Sequence, residues 1–205
     1  MASTTLMVKV QEITHETPSI VRIKLVDKQG RELPVVTAGS HIDIYLENDL
    51  IRQYSLSSDP CQRKHYEIAV LREPNGRGGS EYIHRKIKEG SELKISTPRN
   101  NFPLVHVAER HIFLAGGIGI TPMMSMMAEL DSQKANYLAH YCTCSVIETA
   151  FYNRLKQHER AGRLVFHHDG GNPKNSFDIS GFLFEPQHKT HVYVCGPPGF
   201  MKAAE

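Results

Sequence analysis

The stretch 111–127, His-Ile-Phe-Leu-Ala-Gly-Gly-Ile-Gly-Ile-Thr-Pro-Met-Met-Ser-Met-Met, constrains the chain more than any other. Residues 112–115 form a short unbroken apolar run, as in a strand buried on both faces. Gly116, Gly117 and Gly119 follow, allowing a tight turn and a close approach of backbone to ligand. Thr121-Pro122 then predicts a helix start, with threonine as N-cap and proline at the first helical position. Met123, Met126, Met127 and Leu130 fall at core-facing helical spacings. A strand, a glycine turn and a helix N-terminus make an anion seat, because unpaired amides and the helix dipole both favour negative charge. The pattern predicts a dinucleotide pyrophosphate site; an ordinary strand-to-helix turn is the alternative. It departs from the common dehydrogenase fingerprint. Pro122 stands where a third glycine would be, and no acidic residue closes the next strand, 137–142.

Beyond this point strand and helix signals alternate. Strands are expected at 137–142, 163–167 and 191–195, and a helix at 148–159 with Ala150, Phe151 and Leu155 inward. Such alternation predicts a parallel sheet covered on both faces. Its ligands would sit beyond the strand ends: 116–121, Cys144-Ser145, 168–171 and 195–199. Adjacent histidines on a strand point to opposite faces, so His167-His168 is not read as a metal site.

Before residue 100 the period is two. Leu6, Val8 and Val10, then Val21, Ile23 and Leu25, then Ile42, Ile44 and Leu46 alternate with polar neighbours, as do Tyr66, Ile68 and Val70, and Leu93 with Ile95. About six short strands broken by Gly and Pro predict a small antiparallel β-barrel or sandwich. A helix is expected at 79–86 after Asn75-Gly76-Arg77-Gly78-Gly79-Ser80, with Ser80 as its cap. This second glycine-rich helix start, beside Arg77, is either another phosphate site or a flexible hairpin connection. The strand Arg52-Gln53-Tyr54-Ser55 offers a guanidinium for a phosphate, a ring for a flat cofactor and a hydroxyl; a merely solvated strand face is the alternative. Proline and polar residues near 100–107 place the boundary between the halves, giving domains 1–103 and 104–205.

Composition adds limits. With 205 residues, 40% hydrophobic and 22% charged, the chain can bury a real core in one large domain or two small ones. A net charge of +2 gives no reason to expect nucleic acid. No apolar run suits a membrane span, and no signal peptide is evident. Cys61, Cys142, Cys144 and Cys195 lack zinc-finger or redox spacing, so a reduced, cytoplasmic protein is expected.

Taken together, Arg52-x-Tyr54-Ser55-Leu56, Gly78-Gly79-Ser80, Gly116-Gly117-Ile118-Gly119-Ile120-Thr121-Pro122 and Cys195-Gly196-Pro197 resemble the ordered motifs of the ferredoxin-reductase-like flavoproteins. The similarity is greatest to the phthalate dioxygenase reductase branch, with the vanillate demethylase and carnitine monooxygenase reductases. It implies a flavin-binding antiparallel barrel followed by an α/β parallel-sheet NAD(H) domain. It implies FMN in preference to FAD, with Arg52 at the phosphate, Gln53 beside it, Tyr54 on the isoalloxazine, Ser55 near flavin N5 and Ala69, Val70 and Leu71 along the flavin edge. Gly78, Gly79 and Ser80 would cradle the phosphate. Gly117, Gly119 and Thr121 would approach the NADH pyrophosphate, Cys144 and Ser145 the ribose end, and Cys195, Gly196 and Pro197 the nicotinamide. Ser55 and Cys195 would border the reacting atoms, Cys195 as a positioning residue. NADH is expected in preference to NADPH, since no arginine neighbours Cys144-Ser145. The activity implied is electron transfer from NADH to a Rieske-type oxygenase component. The alternatives are an FAD-containing NADPH reductase of ferredoxin, or a nucleotide-binding module without chemistry. The branch usually carries a [2Fe–2S] domain with C-x₄-C-x₂-C spacing. That run is absent here, and the expected helix after Cys195 stops early at Glu205, so a longer native chain is expected.

Overall fold

In the computed structural model, which describes residues 5–47, 49–184 and 188–205, the period-two segments pair into one antiparallel sheet. Strands β1 (Thr5–His15), β2 (Ile20–Asp27), β3 (His41–Tyr45), β4 (Ile51–Ser55), β5 (Tyr66–Leu71) and β6 (Glu92–Ser96) lie in the order β4-β3-β6-β1-β2-β5. One face of each strand turns inward, so Val8, Val10, Leu25, Ile42, Ile44 and Ile95 are fully buried. The sheet rolls until its edges meet just past β4, where the Ser57 amide donates to the Glu67 carbonyl at 2.8 Å. Among the described residues no ladder joins β4 to β5, so the barrel is rolled rather than closed.

Helix α1 (Gly79–Lys86) closes one end of the roll through Ile83. Its cap differs from the sequence expectation. Gly78, at φ 79°, is the N-cap, and no side chain caps the helix. The Ser80 hydroxyl instead accepts from the Glu73 amide at 3.1 Å and staples the preceding loop. A left-handed glycine lets the chain enter the helix without a hydroxyl cap.

The second half is a parallel sheet of β7 (Arg110–Gly116), β8 (Tyr137–Thr143), β9 (Leu164–His168) and β10 (Thr190–Cys195), in the order β10-β7-β8-β9. One face is covered by α2 (Ile120–Gln133) and α3 (Tyr152–Arg160). Phe113, Ala139 and Tyr141 from the sheet meet Met123, Met127 and Leu155 there. Ile112 and Leu114 face the other way, toward α4 (Ile179–Leu183) and α5 (Pro198–Lys202).

Two helix starts are corrected here. The chain leaves β7 through a 3-10 turn, Gly117–Gly119, and α2 begins at Ile120 with Gly119 as N-cap. Thr121 therefore lies inside the helix, its hydroxyl donating to the Ile118 carbonyl at 3.0 Å. The glycines let winding begin before the threonine, which leaves no place for it as a cap. The helix expected from 148 begins at Tyr152, after a 3-10 turn Val146–Glu148 and a left-handed Phe151 at φ 59°.

The segment joining the halves is tied at both ends. The Asn100 side-chain Nδ2 donates to Thr37 Oγ1 at 2.7 Å and to the Ala38 carbonyl at 2.8 Å, and the Val105 backbone amide donates to the Tyr193 hydroxyl at 2.7 Å. The Gly39 amide donates to Ser125 Oγ of α2 at 3.0 Å. A Cβ at Gly39 would fall 1.9 Å from the Phe102 carbonyl oxygen, so only glycine fits this seam.

Candidate functional site

The seam opens into a cleft of about 370 Å³ with one wall from each half. Arg52, Gln53, Tyr54 and Ser55 of β4, with Ala69 and Leu71 of β5, form the barrel wall. Gly119, Thr121, Cys195 and Gly196 form the opposite wall, at the carboxyl ends of β7 and β10. Val70 points the other way, into the barrel core, as strand alternation requires.

Arg52 lies over the start of α1. Its Nη1 donates to the Ile51 carbonyl at 2.8 Å and its Nη2 to the Arg77 carbonyl at 2.7 Å. A Cβ at Gly79 would sit 2.4 Å from Arg52 Nε, so the glycine is what admits the guanidinium. Two of its five N–H donors are used among the described residues. The helix end adds its own partial positive charge. Glu81 in the first turn does not cancel this, because it is paired with Arg72 at 2.6 Å and Arg85 at 3.0 Å. The result is an anion seat that fits a phosphate monoester.

Tyr54 packs its ring against the barrel core. Burial pushes its phenol up to about 12 against the opposing charge of Arg52, so it is a neutral donor at working pH. A flat, partly buried phenol beside an anion seat suits an aromatic ring system carrying a phosphate tail.

Across the cleft, Gly119 and Cys195 pack backbone to backbone. A Cβ at Gly119 would lie 2.1 Å from the Cys195 carbonyl oxygen. Burial pushes the Cys195 thiol up, which keeps it neutral and a poor nucleophile. The side chain can shape the wall and border a ring; it is not set up for covalent attack.

A second cavity, of about 600 Å³, adjoins the first and shares Leu71 and Ile118 with it. It lies beyond the carboxyl ends of β7, β8, β9 and β10, reached by Gly117, Cys144, His167 and Pro197. Its apolar lining comes from Ile20, Phe177 and Phe200. Its charged lining is Glu148 and Asp169, with no lysine or arginine among the described residues. Burial, with Asp169 adding to it, pushes the Cys142 thiol up to about 12. The two histidines diverge: His167 stacks on Phe177 and His140, while His168 Nδ1 meets the Thr143 hydroxyl at 2.9 Å.

Most residues singled out from sequence therefore meet at one place. Arg52, Gln53, Tyr54, Ser55, Ala69, Leu71, Gly79, Ser80, Gly119, Thr121, Cys195 and Gly196 line the first cleft. Gly117, Cys144 and Pro197 line the second. Gly78, Ser145 and Val70 line neither. Glu73, in the first cleft, and Ile20, Phe177 and Phe200, in the second, were not foreseen. Ile20 follows the Thr17-Pro18 break, but nothing local marks a hydrophobic strand start as a cavity wall.

A rolled antiparallel sheet and a four-stranded parallel sheet sharing such a cleft define the ferredoxin-reductase-like class of fold. The oxidoreductase NAD-binding domain family matches residues 113–205. The chain is 43% identical over 200 residues to the reductase subunit of tert-butanol monooxygenase / tert-amyl alcohol desaturase from Aquincola tertiaricarbonis, covering 98% of this chain and 59% of that protein. It is 38% identical to the carnitine monooxygenase reductase subunit of Escherichia coli (strain K12), covering 96% and 61%. The solved structure of phthalate dioxygenase reductase, described as modular for electron transfer from pyridine nucleotides to [2Fe–2S], superposes with a TM-score of 0.92 at 37% identity. That match covers 97% of this chain and 62% of the other. Over nearly its whole length the chain is thus similar to reductases of the phthalate dioxygenase reductase branch. It spans about 60% of the length of these relatives.

Proposed function

We propose that the chain is the flavin- and NADH-binding part of an oxidoreductase that supplies electrons to an oxygenase component. One observation carries this reading: Arg52, Tyr54 and Ser55 face Gly119 and Cys195 across a single cleft. A bound flavin would take hydride from NADH and release its electrons singly. The chain's own residues bind and orient. Arg52 and the start of α1 hold the phosphate, the Tyr54 ring supports the flat ring system, and the Ser55 hydroxyl offers a hydrogen bond at its edge. Gly119, lacking a Cβ, and the neutral Cys195 shape the opposite wall. Holding two rings in near-attack geometry is the main catalytic service such a cleft can give.

FMN is favoured over FAD because the anion seat at Arg52 suits a terminal phosphate. NADH is favoured over NADPH because Glu148 and Asp169 line the second cavity with no cation to meet an extra phosphate. Electrons would pass to an iron–sulfur acceptor, a [2Fe–2S] group carried by a longer native chain or a separate protein, and then to the oxygenase. Among the described residues no helix is long and apolar enough to cross a membrane, and we place the protein in the cytoplasm. The test is direct. Protein incubated with FMN and desalted should stay yellow, and anaerobic NADH should bleach it within seconds. A protein that binds NADH but retains no flavin defeats the proposal and leaves a nucleotide-binding module.

A further inference from the structure

A group of charged side chains away from the cleft ties the halves together. Arg22 on β2 is its centre. Nε donates to Glu16 at 2.8 Å, Nη1 to Glu67 at 2.8 Å and Nη2 to the Thr14 hydroxyl at 3.0 Å, so every nitrogen of the guanidinium is engaged. Both carboxylates then reach across the seam. Glu16 Oε2 accepts the Phe151 amide at 3.0 Å, and Glu67 Oε2 accepts from Arg154 Nη1 at 2.9 Å. Glu16 thereby satisfies a backbone amide at the start of α3 that no local side chain caps. The side chains of Glu16, Arg22 and Glu67 are 14%, 15% and 9% exposed, and Arg154 is 45% exposed. Two part-buried carboxylates meet two guanidiniums, with the more exposed Glu12 at 3.7 Å from Arg22 on the rim. His65 approaches Glu67 at 4.0 Å.

Both ends of this group run directly into the walls of the second cavity. On the barrel side, Glu16 opens a tight turn in which the Glu16 amide donates to the Ile20 carbonyl at 3.0 Å. Ser19 and Ile20 of that turn line the cavity. On the other side, Phe151 follows Thr149, whose hydroxyl meets that of Thr143 at 2.7 Å. Thr143 also lines the cavity.

We infer that the Glu16–Arg22–Glu67–Arg154 group is a clasp that sets the separation of the two cleft walls, making Glu16 and Arg154 positioning residues for transfer between nicotinamide and flavin. The inference rests on the proposed function for its kinetic meaning and on the hydrogen bonds alone for its structural one. Neither Glu16 nor Arg154 lines either cavity, so neither can touch a ligand bound there. Breaking a part-buried ion pair leaves its partner uncompensated, so the remaining charges would draw apart toward solvent. A displacement of about 1 Å is enough to cost up to roughly a hundredfold in such a transfer.

The test compares Glu16→Ala, Glu16→Gln and Arg154→Met with the parent. Arg154 is half-exposed, so its variant is the safer for folding. Flavin retention should stay within about twofold, while flavin reduction at saturating NADH slows about tenfold in Glu16→Ala and Arg154→Met. Glu16→Gln should give an intermediate rate, because its amide oxygen can still accept the Phe151 N–H while the ion pair with Arg22 is lost. Hydrogen exchange should quicken at residues 38–39, where the barrel is tied to α2, while the core strands of both sheets keep their protection. An unchanged reduction rate, whatever the exchange, overturns the inference, as does flavin loss in step with the rate. If NADH does not reduce the parent, the functional proposal fails, and exchange at 38–39 alone judges the clasp: quickened, it stands; unchanged, it falls.

Discussion

Arg52 holds its place through two backbone carbonyls and the missing Cβ of Gly79, with no carboxylate partner among the described residues. Its charge is therefore available to a ligand. Arg52→Ala should weaken flavin binding by about 1.5–3 kcal/mol, the usual worth of a charged hydrogen bond, with little change in NADH affinity. Fluorescence titration of each ligand separates the two, and equal loss of both would sink the assignment. Gly119 presents the opposite case, where nothing can be added. Gly119→Ala drives a methyl into the Cys195 carbonyl, with backbone on both sides and no flexible atom to yield. It should destabilise the fold by about 1–3 kcal/mol in urea unfolding. A neutral result would mean that α2 and β10 can part without cost.

At the scale of elements, strands were easier to read from the sequence than helix starts. Alternation is set by burial on one face, and five of the six barrel strands fall where the period-two runs lie, the sixth, β4, holding the Arg52-Gln53-Tyr54-Ser55 motif. Helix starts depend on what the preceding backbone does. Thr121 and Ser80 are good caps by residue type, but glycines ahead of them let the chain wind early, and each hydroxyl found other work. Phe151 was beyond reach, because its amide is satisfied by Glu16 from a strand remote in sequence. The same limit hid half of the second cavity: Phe177 and Phe200 reach it from segments with no ligand signature of their own.

The β8–β9 pairing carries a pH-sensitive element. His140 is 7% exposed and stacks on Phe177 and His167. Burial first, then the nearby His167 and Arg110, lowers its pKa to about 4 from 6.5. The unfolded chain therefore takes up a proton between these values while the folded chain does not, and stability should fall as pH drops from about 6.5 toward 4. The loss attributable to this side chain is at most about 3 kcal/mol. Urea midpoints at pH 7 and pH 5 measure it. His140→Phe should flatten the difference; an unchanged slope would assign it elsewhere.

At the scale of the whole molecule, we place the division between functional units at 103/104, next to a short accessible segment. Val107 is 90% exposed, whereas Leu104 is buried and the Val105 amide is held by Tyr193. Limited digestion with a protease of broad specificity should nick first near Val107 and leave the barrel fragment intact in mass spectra. Early cleavage within β1–β5 would argue against independent units.

The tied linker has a further consequence for traffic through the protein. A segment pinned to Thr37 at one end and Tyr193 at the other behaves as a strut, and a jaw built on a strut does not gape. On the proposed function, spent nucleotide would then leave sideways, past the residues of 144–148 and 169–176 that line the second cavity, and those two short loops would set the pace of its release.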